Sequence, residues 1–456
     1  MHASARVVSL AGALLGAACG CSATPAPAPP AGPPGAGSAA NIVPEAPAPG
    51  ASAPSPATAA ATVTPAERSD QPPRAVPTFE DDVAFLDRYG AVQILQAPHG
   101  ARVAVSAKYQ GRVMTSAVGP GERSLGWVQR DFIEKGRTGT QFDNYGGEDR
   151  FWLGPEGGQF GLYFAPGKTF ALSAWQTPAA FQEGEWAVSE RDDRHIALHR
   201  SLAVTNHSGT RFDLDVTRAI SLLPAAEVTA RLGAPIPAGV SWVAFQSANT
   251  ITNRGKLAWS EKKGLLSVWI LAMFPPSPDT LVVVPFRTDA SGPIVNDAYF
   301  GKVPPGRLQV HEREGYLVFK GDALHRSKIG LGPARAKPTL GSFSAASRLL
   351  TIVQYDPPQG PARYVNSMWE AQADPFAGDA VNSYNDGPTA PGQPPLGGFY
   401  ELETSSPGGA LRPAASLTHT HRTFHLVGEP AALDAVARAA LGVPLDRIRL
   451  DPVPGG

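Results

Sequence analysis

Glu401 and Glu403 stand two residues apart in the stretch Phe399-Tyr400-Glu401-Leu402-Glu403-Thr404-Ser405-Ser406-Pro407. Residues two apart on a strand project to one face. The two carboxylates therefore form a candidate catalytic pair, able to hold hydroxyl groups or to act as general acid and base. His419 and His421 repeat that spacing in the next strand-like run, Thr418-His419-Thr420-His421-Arg422. If the two strands lie side by side, two imidazoles and two carboxylates converge, a set suited to proton transfer and compatible with a divalent ion. The plain alternative is structural, with carboxylates paired to arginines and histidines donating to carboxylates on a polar edge.

A second group carries binding rather than reacting chemistry. Glu148-Asp149-Arg150 with Phe151-Trp152 follows the Gly146-Gly147 turn, which places carboxylates, a guanidinium fork and flat rings in one loop. Such a mix recognises a ligand with paired hydroxyls and apolar faces. An arginine fixing a tight turn and a core tryptophan explain the same residues equally well. Asn382, Tyr384, Asn385 and Asp386 fall in a segment ending in Gly387-Pro388; loops of this kind often carry function, and an Asx-turn is the competing account. Trp369, Arg326 and Lys328 complete the set of binding candidates. A dinucleotide fingerprint, a phosphate-binding loop, a nucleophile elbow and the paired-histidine metalloprotease motif are all missing from the sequence, so nucleotide-dependent and common hydrolase chemistries have no support.

Positioning these residues requires a strand-rich scaffold. The 456 residues include 48 Gly and 46 Pro, with 43% apolar and only 17% charged residues, a turn-rich composition typical of many short strands. With 39 basic against 40 acidic residues no overall field attracts nucleic acid, which is not expected as a partner. Strict alternation in Arg211-Phe212-Asp213-Leu214-Asp215-Val216-Thr217 predicts a strand with one wet face. The nearly continuous apolar runs Leu265–Phe274 and Thr280–Phe286 predict strands buried on both faces. Further strands are expected at Arg102–Ser106, Arg112–Ala117, Ser241–Thr252, Tyr316–Lys320, Leu349–Tyr355, Phe399–Thr404 and Ser416–Val427. Pro430–Leu441 has helical spacing, a proline for its first turn and Gly442 for its stop. The expected class is all-β, stacked antiparallel sheets with a short C-terminal helix.

The N-terminal part reads differently. Val7–Ala18 is an apolar run of signal-peptide length, and Leu14-Leu15-Gly16-Ala17-Ala18-Cys19 resembles a bacterial lipobox. Cys19 and Cys21 are the chain's two cysteines, which excludes a disulfide framework in the body. Lipidation is expected at Cys19, with Cys21 as the second choice. Residues 1–18 are thus expected to be a lipoprotein signal peptide and 19–76 an Ala/Pro-rich tether. Residues 77–428 form the expected β domain, and 429–456 a C-terminal helix and tail. The protein is expected to be exported to the cell envelope and anchored to a membrane, facing the periplasm or the cell surface, and to be a monomer.

The stretch from Phe399 to Pro407, followed by Leu411-Arg412-Pro413 and the strand through His421, resembles the catalytic end of aldose 1-epimerases, the galactose mutarotase-like proteins. Thr205-Asn206-His207-Ser208-Gly209-Thr210 and Thr252-Asn253-Arg254-Gly255-Lys256 occur in the order seen in that superfamily. Gly146 to Gly158, Arg326 to Leu331 and Val381 to Pro388 resemble a bacterial lipoprotein branch of it whose function is not established. The resemblance implies a β-supersandwich and a carbohydrate ligand; no cofactor is expected, a divalent ion being the alternative. It implies that Glu403, in Leu402-Glu403-Thr404, is the base that takes the proton from an anomeric hydroxyl. The family's acid is a histidine on an earlier strand, and the matching region Leu265–Leu271 has none. The resemblance therefore carries over the base without the acid, and proton transfers of this kind are each worth about 10²–10⁴ in rate.

Overall fold

The computed structural model describes residues 76–136 and 141–452. The expected signal segment, both cysteines and all but the last residue of the expected tether lie outside the described residues.

Thr78 starts α1 (Phe79–Asp87) with a capping box: its hydroxyl accepts from the Asp81 amide and the Asp81 carboxylate accepts from the Thr78 amide at 2.9 Å. Two of the helix's orphan donors are satisfied in this way. A small antiparallel sheet follows, made of β1 (Gln93–Gln96), β2 (Arg102–Ser106) and β3 (Arg112–Ala117). Next come α2 (Arg130–Lys135) and β4 (Arg150–Gly154), then the meander β5 (Ala187–Arg191), β6 (His195–Thr205) and β7 (Arg211–Leu222). After α3 (Ala225–Leu232) the chain forms β8 (Ser241–Asn253), β9 (Ser267–Phe274), β10 (Leu281–Pro285), β11 (Leu308–His311) and β12 (Tyr316–Lys320). The remainder is β13 (Ser327–Leu331), β14 (Thr339–Ser344), β15 (Leu349–Tyr355), β16 (Val381–Asn385), β17 (Tyr400–Ser405), β18 (Ser416–Val427) and α4 (Pro430–Leu441).

These strands build two large antiparallel sheets. One has ten strands in the order β11-β12-β10-β14-β15-β18-β8-β7-β6-β5, the other five in the order β13-β16-β17-β9-β4. The expected stacked antiparallel sheets are present, with the short C-terminal helix. One core cluster joins Phe212, Leu214 and Val216 of β7 to Val268 and Ile270 of β9, and another joins Leu340 and Val353 to Leu402. Leu433, Val436, Ala437 and Leu441 of α4 cover the opposite face of the large sheet, against Leu350, Ile352, Phe424 and Leu426. Burying each side chain of this size is worth about 1.5–3 kcal/mol. Gly442, at φ 72°, ends α4 in the left-handed region that glycine enters without a Cβ clash.

β9 is buried along its whole length and β10 at all but its first residue, matching the continuous apolar runs. β7 alternates as its sequence indicates, but the inward row does not stay apolar, because Arg218 follows Val216 on the buried face.

One expectation about pairing is overturned. β17 pairs with β16 and β9, whereas β18 pairs with β15 and β8, so the Glu401/Glu403 strand and the His419/His421 strand lie in opposing sheets. The chain from 406 to 415 is the cause. The Ser406 and Gly409 amides donate to Val268 and Leu266 carbonyls at 2.8 Å, prolonging the path along β9, before Asn253 donates to Ala415 at the end of β8. A connection of that length permits a crossover between sheets where a tight hairpin would not.

Candidate functional site

Alternation along β17 decides what each residue can reach. Tyr400 and Leu402 enter the core between the sheets, and Thr404 points the same way. Glu401 and Glu403 therefore occupy the outer face of the five-stranded sheet. Register extends that face sideways. Glu401 is opposite Met273 and Tyr384, and Tyr384 is opposite Lys328; Glu403 is opposite Leu271 and Asn382, and Leu271 is opposite Arg150. Trp152 is opposite Trp269 in the next row. Directly opposed residues share a face, so five strands present Arg150, Trp152, Trp269, Lys328, Asn382, Tyr384, Glu401 and Glu403 on one floor. Gly330 leaves the room this floor needs, because a Cβ there would collide with Asp379 Oδ2 and the Asn382 amide.

Loops raise aromatic walls around the floor. Phe142, Trp175, Phe300, Trp369 and Phe399 enclose, with Arg150, Trp152, Glu156, Arg326, Lys328 and Glu401, a cavity of about 250 Å³. The Trp175 and Trp369 rings stack at 6.3 Å between centroids, and Phe300 meets Trp369 edge-on at 5.6 Å.

Two ion pairs cross the floor. Arg150 Nη2 donates to Glu401 Oε1 at 2.8 Å, and Lys328 Nζ donates to Glu403 Oε2 at 2.8 Å. Trp269 Nε1 also donates to Glu403 Oε2, at 2.8 Å. The two glutamates differ in access. Glu401 lines the cavity, whereas Glu403 is 0% exposed behind Lys328 and Trp269, and among the described residues its Oε1 has no hydrogen-bond partner. On the wall, Glu156 Oε1 accepts from Trp175 Nε1 at 2.9 Å.

The electrostatics follow from burial and neighbours. Burial raises the Glu401 carboxyl to about 8; Arg150 opposes the rise and Glu403 reinforces it. Burial likewise raises Glu156 against the pull of Lys328. Burial alone would lower the Lys328 ammonium, but Glu403 and Glu156 outweigh it and hold the group above its ordinary value. Burial therefore raises the proton affinity of Glu401 even within its pair with Arg150, beside a firmly charged Lys328.

The predicted residues divide sharply between the two faces of the sheet. Arg150, Trp152, Arg326, Lys328, Trp369, Tyr384 and Glu401 line the cavity. Asn382 sits just behind, donating to the Tyr299 hydroxyl at 3.1 Å, and that hydroxyl donates to Asp379 Oδ2 at 2.5 Å. Asn385 and Asp386 shape the walls: the Asn385 amide donates to the His325 carbonyl at 2.9 Å, and Asp386 accepts from the amides of Gly397 and Gly398 at 2.9 and 2.8 Å.

His419, His421, Glu148 and Asp149 belong to the layer between the sheets. His419 Nε2 and His421 Nδ1 lie 2.8 and 2.9 Å from the Thr404 hydroxyl. Burial lowers both imidazoles to about 3. They stand on the opposite side of β17 from the glutamates, because Thr404 alternates with Glu403. Glu148 Oε2 contacts His425 Nε2 at 2.8 Å, and Asp149 accepts from Ser247 at 2.6 Å and from Arg218. The convergence of both histidines with both glutamates, and the placing of Glu148 and Asp149 at the ligand face, are corrected by this geometry. Among the described residues no group of three or more His, Cys, Asp or Glu could hold a metal ion.

Sequence reading missed Glu156, Trp269 and the ring wall of Phe142, Trp175, Phe300 and Phe399. A signal existed for Glu156, a carboxylate in the turn-forming run Gly154-Pro155-Glu156-Gly157-Gly158. Trp269 carried none, since its role depends on the register that sets it beside Trp152.

Three solved structures illustrate what the chain is similar to. A candidate aldose 1-epimerase from Escherichia coli K12 has 13% identity and a TM-score of 0.43, over 74% of this chain and 99% of that one. A galactose mutarotase related enzyme from Lactobacillus acidophilus has 10% identity and a TM-score of 0.41, over 74% and 98%. A galactose mutarotase-like protein from Lactobacillus casei ATCC 334 has 9% identity and a TM-score of 0.37, over 74% and 99%. No curated protein matches the sequence. The model of a family of unknown function, DUF6786, matches residues 77–451, nearly the whole described part of the chain, and the protein belongs to that family.

Proposed function

We propose that this chain binds a saccharide ring in the cavity above β17, with Arg150, Lys328 and Glu401 meeting its hydroxyls and Trp152, Trp175 and Trp369 its apolar faces. The observation that carries the reading is the pair of buried ion pairs on the floor of an aromatic-walled cavity. Flat rings around a few fixed polar groups are the composition of small-molecule sites. The likeness of Leu402-Glu403-Thr404 to the epimerase motif supports the same ligand class.

Glu403 takes a positioning role in this reading. With one oxygen shared between Lys328 and Trp269 and the other sealed, it holds the ammonium in place and does not meet an anomeric hydroxyl. The group left to exchange a proton with a ligand is Glu401, whose carboxyl burial raises to about 8. That arrangement favours glycan binding without epimerisation, and polarimetry with the full chain is expected to show no catalysed mutarotation of glucose or galactose.

Thermal unfolding of the full chain across a panel of mono- and oligosaccharides tests the binding reading. A ligand at about 100 times its dissociation constant adds roughly 2.7 kcal/mol. A rise in Tm that disappears in Glu401→Gln is the expected result; no rise with any saccharide would remove it.

Export and lipid anchoring at Cys19 belong to the same proposal, motivated by the lipobox-like run and the Ala/Pro-rich stretch that follows it. Cys19→Ser is expected to release the protein from the membrane fraction and Cys21→Ser to leave it there. Release by both variants or by neither would sink the assignment.

A further inference from the structure

Three cations and two carboxylates line the cavity: Arg150, Arg326 and Lys328 against Glu156 and Glu401. Arg150 is paired with Glu401, and Lys328 with Glu403 behind the wall. Arg326 has no acidic partner among the described residues. Its guanidinium lies over Phe300, with Cζ 3.7 Å from the ring centroid and 6.0 Å from that of Trp369. Among the described residues only its Nε has a hydrogen-bond partner, the Tyr384 hydroxyl at 3.4 Å.

The acidic residues of the flanking segments are committed elsewhere. Asp322 accepts from Arg307, and Asp386 accepts from the Tyr384 hydroxyl at 2.9 Å and from the amides of Gly397 and Gly398. The loop before Arg326 is fixed by Asn385, which accepts from the Ala323 amide at 2.8 Å and donates to the His325 carbonyl at 2.9 Å. Arg326 is thus a fork held over a ring, with its two terminal nitrogens left for a ligand.

A second observation lies deeper. Arg150 is 3% exposed and lines the cavity, yet among the described residues its Nε and Nη1 have no acceptor. Buried guanidinium donors without partners are costly, and a ligand oxygen in the cavity would satisfy them. Both observations call for an oxygen-rich ligand with more negative charge than a neutral sugar carries. Size narrows the class: drug-sized ligands occupy clefts of about 300–1,000 Å³, and this cavity is about 250 Å³.

Building on the saccharide reading above, we propose that the ligand is an anionic monosaccharide, its carboxylate or phosphate seated on the terminal nitrogens of Arg326 and a ring hydroxyl on Arg150. A planar fork pairs with either anion through two parallel bonds, which a lysine cannot reproduce.

Isothermal titration calorimetry on the full chain, with galactose and glucose, their 6-carboxylates galacturonate and glucuronate, and glucose 6-phosphate, tests the assignment. The anionic sugars are expected to bind about tenfold tighter than the neutral parents, a gap that narrows as salt is raised. Arg326→Gln should erase the gap between anionic and neutral sugars, and Arg326→Lys should recover only part of it. The tighter of carboxylate and phosphate names the group that the fork reads. Equal affinity for neutral and anionic sugars, or a preference that survives Arg326→Gln, overturns the anionic assignment and leaves saccharide binding standing. Failure of every sugar to bind overturns both.

Discussion

β17 divides two charged layers that share one strand and differ in what they face. On its inner side Asp149–Arg218, Glu148–His425 and the Thr404–His419–His421 cluster are sealed between two sheets, all 0–3% exposed. On its outer side Arg150–Glu401 and Lys328–Glu403 are nearly as buried but underlie a cavity. Among the described residues each layer leaves some guanidinium nitrogens unmatched, Arg218 Nε and Nη1 inside and Arg150 Nε and Nη1 outside. Burial and even imperfect pairing therefore do not distinguish a structural charge from a ligand-reading one. Access does, because only Arg150 can be completed by something that arrives.

The largest effect expected of this contrast is on the paired arginines. Arg218→Met leaves the buried Asp149 carboxylate without its cation and should cost about 3–5 kcal/mol, read as a lower midpoint in urea. Arg150→Met strands Glu401, which can take up a proton beside the cavity, so it should cost less, roughly 1–3 kcal/mol, while abolishing ligand binding. Equal losses of stability in the two variants would break the comparison.

The next effect is in the pH dependence, where the two layers run in opposite senses. His419 and His421 are held at about 3 when folded against roughly 6.5 unfolded. Below that unfolded value the unfolded chain binds protons that the folded one refuses. Their contribution is complete above about pH 6.5 and is lost as pH falls toward 3, by about 3 kcal/mol for each histidine at pH 4. Glu401 is raised to about 8, so its protonated form is favoured by folding, and its contribution is present below about pH 4.3 and lost as pH rises through 8. Chemical denaturation from pH 4 to pH 9 should show both limbs. His421→Gln is expected to flatten the acid limb alone and Glu401→Gln the alkaline limb alone; a variant that flattens both would show that the layers titrate as one.

The legibility of the fold and the site follows the same division. Alternation placed Glu401 with Glu403 and the inward row of β7, and the continuous apolar run announced β9, because these depend on the period of one strand. Strand identity did not reveal which sheet a strand joins, so the histidines two residues apart in β18 looked like partners of the glutamates and are separated from them by the thickness of β17. Arg150 and Trp152 were recovered, and Glu148 and Asp149 were not, although all four come from one run of residues. Glu148 and Asp149 both precede the strand and meet partners on the large sheet, His425 and Arg218, after the Gly146-Gly147 turn, whose glycines both adopt positive φ. Trp269 was invisible because its partner is chosen by register, which no local pattern encodes.

The smallest expected effect tests whether Glu403 is a positioning group or the centre of the site. Trp269 Nε1 and Lys328 Nζ share Glu403 Oε2, and Trp269→Phe removes one donor while keeping a ring above the floor. Loss of a hydrogen bond to a charged group costs about 1.5–3 kcal/mol, less if Lys328 moves closer. If Glu403 acts through Lys328, saccharide affinity in Trp269→Phe should fall only a few-fold, because the ammonium stays in place. Glu403→Gln, which frees the ammonium, should weaken binding far more. If instead Trp269→Phe opens Glu403 to the cavity and mutarotation appears in the polarimeter, the seal is what withholds the epimerase reaction. The outer layer would then differ from the inner one by a single indole.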